Sequence, residues 1–117
     1  MKNQAIKQPV FWVGLDYYYG LGLWELKKRG FLKSFTLVCL DNDPVISHLR
    51  KQGLKIYSLE EDLGPQAREL PRNTGHLLSH PRVMELIKKE SGKETPAIAF
   101  FKPSLKIDLL LKKMNWN

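Results

Sequence analysis

The residues able to do chemistry gather in two short stretches, Asp16 to Gly22 and Asp41 to Pro44, each directly after an apolar run. Gly20 and Gly22 would let a phosphate or nucleoside come close to the backbone where a helix begins, and unpaired N–H groups there favour an anion. The spacing stops short of a dinucleotide-binding fingerprint. Glu25 stands where that pattern wants a third Gly or Ala, and a carboxylate in that place repels a pyrophosphate. Asp16, Gly20, Gly22, Asp41 and Asp43 are therefore the candidate ligand-binding residues, and no catalytic residue can be assigned beside them.

Other reactive residues carry weaker signals. Tyr17, Tyr18 and Tyr19 with Trp24 suit a stacking surface or an interface patch, where aromatic side chains are enriched, and equally suit core packing. His76 and His80 are spaced to share a helix face, but a metal needs further ligands and Pro81 interrupts the helix. No metal site is expected. Glu60, Glu61 and Asp62 read as solvated loop carboxylates, and Cys39, a lone cysteine in an apolar run, reads as a small core residue. The net charge of +7 raises the question of nucleic acid. The basic groups Lys27-Lys28-Arg29, Arg50-Lys51, Lys88-Lys89 and Lys112-Lys113 each fall near the end of a predicted helix, where they complement its dipole, and this speaks against a nucleic-acid partner.

The elements that must position these residues follow from hydrophobic patterning. Pro9 to Leu15 and Phe35 to Leu40 are apolar runs that suit strands covered on both faces, as in a parallel sheet. Between them Leu23, Leu26 and Lys27 have helical spacing, and Gly30 suits the end of that helix. Pro44 starts a second helix, carrying Val45, Ile46 and Leu49 as far as Gly53, and Leu54 to Ser58 alternates like a short third strand. Leu59 to Asn73 holds two prolines and no clean period, so a loop with one helical turn is expected. Asn73 or Thr74 then caps a short helix, Pro81 starts another that closes at Gly92, and Pro96 to Phe101 makes a fourth strand. Lys102-Pro103-Ser104 leads into a last helix with Ile107, Leu110, Leu111 and Met114 inward. The expected architecture is a single Rossmann-like α/β domain over residues 1–117, a three-layer fold with about four mostly parallel strands and helical crossovers. No apolar run reaches the roughly 20 residues that span a bilayer, and the polar start lacks a secretory apolar region, so no membrane and a cytoplasmic location are expected.

The first stretch is similar to class I methyltransferases, whose first strand ends in an acidic residue followed by alternating glycines. Asp16, Gly20 and Gly22 stand in those places, and Asp41 or Asp43 stands where that family's second acid holds ribose hydroxyls. Tyr18 occupies the place of the first glycine. This similarity implies a stand-alone nucleotide- or S-adenosylmethionine-binding module.

A wider resemblance covers most of the chain. Phe35 to Pro44 (FTLVCLDNDP), Gly53 to Leu63 (GLKIYSLEEDL) and Arg72 to Ser104, followed by the Lys106 to Trp116 helix, resemble the N-terminal, pre-ATP-grasp domain of ATP-grasp ligases. That superfamily includes biotin carboxylase and carbamoyl phosphate synthetase. The resemblance implies a truncated domain: a βαβ lobe that packs against a downstream ATP-grasp domain and shapes the substrate cleft, with no activity of its own. It places no cofactor in this chain, ATP and Mg in the downstream domain, and that domain as its partner. The isolated lobe is expected to expose apolar surface and to pair as a homodimer.

Overall fold

The computed structural model describes residues 6–101 and 104–116. Lys102 and Pro103, expected to lead into the last helix, lie outside the described residues, as do Met1 to Ala5 at the polar start.

Four strands form one sheet in the order β3-β2-β1-β4, and every neighbouring pair is parallel. They are β1 (Ile6–Gly14), β2 (Leu32–Cys39), β3 (Ile56–Ser58) and β4 (Ala97–Ala99). The apolar runs occupy the two central strands, as burial on both faces requires. Side chains alternate accordingly. Phe11, Val13 and Val38 point to one face, and Val10, Trp12, Leu37 and Cys39 to the other.

Crossovers of a single hand explain which helices cover which face. The chain steps from β1 to β2 to β3 through α1 (Leu21–Lys28) and α2 (Val45–Lys51). Both cover the Trp12 face, where Ile46 and Leu49 join its core. It then travels back past β2 and β1 to reach β4, so α4 (Thr74–Ser79) and α5 (Pro81–Ser91) lie on the opposite face. Leu77, Leu78, Val83 and Ile87 are buried there. The last helix, α6 (Leu105–Met114), shares that face through the buried Ile107, with Leu110 and Leu111 packed half-buried beside it. Its start is fixed by Ser104, whose Oγ accepts the Ile107 N–H at 3.2 Å.

The stretch after β3 is more ordered than its sequence suggests. Leu59–Leu63 forms a helix, α3, and Pro65–Glu69 a 3₁₀ turn, in place of a loop with one helical turn. The cap is Ser58, whose Oγ accepts the Glu61 N–H at 3.1 Å and donates to the Asp41 carbonyl at 2.9 Å. Gly64, at φ 89°, reverses the chain between the two helical pieces in a conformation that side chains rarely adopt.

Candidate functional site at the carboxyl ends of the strands

In this strand order the chain reverses direction between β1 and β4, and ligands of open parallel sheets sit beyond the strand ends at such a point. A crevice of about 250 Å³ lies there. Its walls are Trp12, Leu15, Asp16, Tyr19, Thr74 and Phe101. Tyr19 and Phe101 stack with ring centroids 4.8 Å apart and planes inclined by 23°, and Tyr18 meets the edge of Tyr19 at 5.5 Å. These rings are not core. Tyr18 is 62% exposed, Tyr19 58% and Phe101 71%. Of the aromatic group read from the sequence, Tyr17 packs against the core below α1, while Trp24 lies half-buried with the Lys28 ammonium 4.2 Å from its ring centre. Phe101 was legible only as a strand end; its pairing with Tyr19 depends on β4 lying next to β1.

The two glycines of the first stretch differ in what surrounds them. A Cβ on Gly20 would stand 2.8 Å from Leu37 Cδ1 and 2.9 Å from Trp12 Cε3. A Cβ on Gly14 would stand 2.0 Å from Trp12 Cη2. The indole lies flat across the end of its own strand, so glycine at 14 and 20 is needed for a side chain of this same chain. Gly22 is exposed, and a Cβ there meets nothing within 4 Å. Asp16, also exposed, turns one carboxylate oxygen, Oδ1, back to accept the Tyr18 N–H at 2.9 Å.

The carboxyl ends of β2 and β3 are arranged differently. Asp41 takes a two-pronged bond from Arg72, both contacts at 2.8 Å. Asp43 accepts the Val45 N–H at 2.8 Å and starts α2. The acidic run 60–62, read as solvated, is held by arginines instead. Glu60 accepts from the Asn42 N–H at 2.8 Å and from Arg68 at 2.7 Å, which hold its carboxyl below the usual range. Arg50 grips Glu61 and the Ile56 carbonyl, lowering Glu61 in the same way. The Tyr57 hydroxyl and then Arg82 bond to Asp62 and lower it too. Asp16 differs from Asp41 and Asp43 in lining the crevice; like Asp43 it spends one oxygen on the backbone N–H two residues on, whereas Asp41 is held by Arg72.

Nucleophiles and metals fare no better. Cys39 is buried, and desolvation followed by the nearby Asp41 charge pushes its thiol up to about 12, so it stays protonated. His76 and His80 do line one pocket of about 230 Å³, but the His80 Nδ1 accepts the Arg82 N–H at the start of α5. No group of metal-binding side chains occurs among the described residues. What the carboxyl edge offers is an apolar, aromatic crevice with a single carboxylate at its rim, beside a half closed by ion pairs. The fold and the crevice together define a Rossmann-like α/β domain. No protein-family model, curated protein or solved structure matches the chain.

Proposed function

We propose that this chain is the substrate-cleft and packing lobe of an ATP-grasp-type, carboxylate-activating ligase. In this reading ATP and Mg are bound by a downstream ATP-grasp domain, the lobe has no activity alone, and the enzyme works in the cytoplasm. The observation that carries the reading is the split carboxyl edge. Its acids at β2 and β3 are engaged internally, whereas Tyr18, Tyr19 and Phe101 stand exposed around the β1/β4 crevice. An edge of that composition suits a wall against which another domain closes. The reading frame after Asn117 tests this directly. An ATP-grasp body is expected there, and a frame without one sinks the proposal.

A second reading keeps the crevice as a self-sufficient site for a nucleotide or S-adenosylmethionine. It rests on the position of the crevice at the reversal point and on Asp16 at its rim. Calorimetry of the chain with S-adenosylmethionine and NAD separates the two. Saturable heat that disappears in Asp16→Ala favours the second reading; no heat favours the lobe.

A further inference from the structure

The opposite end of the sheet holds a larger pocket that the function proposed above does not use. β2 begins at Leu32, but β3 pairs with Leu37, Val38 and Cys39, so among the described residues no strand runs along that side of Leu32 to Thr36. The gap is a pocket of about 370 Å³, inside the size range of small-molecule sites. Three lysines line it from three elements: Lys27 from α1, Lys33 from β2 and Lys55 from the turn into β3. The one acid in its wall, Glu90, is already bonded to Lys55 at 2.5 Å.

Helix dipoles account for Lys27, in the last turn of α1. They do not account for Lys33, at the start of β2, or for Lys55, outside any helix. Thr36, only 6% exposed, lies in the pocket wall and lends it a hydroxyl. Ser34 adds a second hydroxyl, and Trp24 with Phe35 supplies an apolar flank.

We infer that this pocket binds a phosphate group, either free or carried by a small organic molecule. Lysine ammoniums act as point charges with freely directed donors and suit a tetrahedral oxyanion, whereas a planar carboxylate is matched best by an arginine fork, and no arginine lines the pocket. Lys27 and Lys33 supply charge not cancelled in the wall, and Thr36 supplies a hydroxyl donor. The inference does not rest on the ligase reading, since the pocket lies at the other end of the strands.

The test is a heteronuclear NMR titration of the whole chain in 150 mM salt, once with inorganic pyrophosphate and once with adenosine monophosphate. Saturable shifts are expected at Lys27, at Lys33 to Thr36 and at Gly53 to Lys55, with a Kd of about 1 mM or tighter. Lys27→Ala with Lys33→Ala should weaken binding about tenfold, and the near-isosteric Thr36→Val by a few-fold, while Lys88→Ala with Lys89→Ala leaves it unchanged. Equal affinity for both probes identifies the bare phosphate as the ligand; tighter binding of the monophosphate with shifts at the Trp24 indole identifies a phosphoester carrying a ring. Linear, non-saturating shifts spread over all lysines, or unchanged affinity in the Lys27/Lys33 variant, would overturn the inference.

Discussion

Replacing Gly14 by alanine sets a methyl group 2.0 Å from Cη2 and 2.5 Å from Cζ3 of Trp12. The indole cannot step aside cheaply, because it is 5% exposed and wedged in the core of the α1/α2 face. Overpacking a dense core costs about 1–3 kcal/mol, and contacts this short belong at the upper end. A loss of about 3 kcal/mol is expected, a large share of a total of about 5–15 kcal/mol. Urea unfolding followed by tryptophan fluorescence and circular dichroism would show it as a fall in midpoint at unchanged slope.

The companion variant is Trp12→Leu, which removes the ring and costs about 2–4 kcal/mol by itself through lost burial and a residual cavity. In that background Gly14→Ala should cost less than about 0.5 kcal/mol, and can even turn favourable because alanine restricts the unfolded chain. The coupling between the two sites is then about 2.5 kcal/mol or more. Costs that add within about 0.5 kcal/mol would refute the reasoning that Gly14 is there for Trp12. Gly22→Ala is the control: with open space around its Cβ and a place early in α1, it should stabilise by about 0.5 kcal/mol.

Three further outcomes are expected. Cys39 has its pKa raised to about 12 by burial, so the stability tied to the protonated thiol is complete below the unfolded value of about 8.5 and is lost as pH rises toward 12. Stability measured by urea should therefore fall by up to about 1.4 kcal/mol per pH unit in the alkaline limb, less steeply in Cys39→Ala, and iodoacetamide should label Cys39 only in the unfolded chain. Arg72→Ala frees Asp41 from an exposed pair and should change stability by less than about 1 kcal/mol; a gain of S-adenosylmethionine affinity in that variant would instead reveal a masked ribose site. Ser104→Ala removes the cap of α6 and should cost about 1 kcal/mol by thermal unfolding, with Ser104→Asn restoring most of it.

Much of the fold was legible because its strongest signals are local. The apolar runs Pro9 to Leu15 and Phe35 to Leu40 became the two central strands, and Asn73, Pro81 and Ser104 start the helices assigned to them. The basic pairs fall in the last turns of α1, α2, α5 and α6, as the dipole argument requires. The helical turn expected after β3 is α3, and the signal that places it at Leu59–Leu63 is present. Ser58 followed by Glu61 has the spacing of a capping box, and only half of the box forms, because Glu61 turns away to Arg50. Pro65 and Pro71 mask that signal, because each breaks the helical period of the stretch. The ion pairs of the acidic run could not be read, since Glu61 to Arg50 and Asp62 to Arg82 join separate helices, and Glu60 to Arg68 depends on the chain reversal at Gly64.

The candidate site was legible in position and ambiguous in meaning, for a physical reason that the glycines make plain. A glycine reports that something approaches the backbone too closely for a Cβ, and it says nothing about whether that object is a ligand or a side chain of the same chain. Gly20 met the expectation of a close approach, but the approaching groups are Trp12 and Leu37. The distinguishing signal lay two residues before Gly14. In a strand, residues 12 and 14 share a face, so a tryptophan followed at that spacing by glycine can fold its ring over the bare backbone. Once the indole takes the space above the end of β1, the room left at the carboxyl edge lies sideways, toward β4. That is where Asp16, Tyr19 and Phe101 frame the crevice, so a ligand or a partner domain reaching this edge meets aromatic faces and one carboxylate.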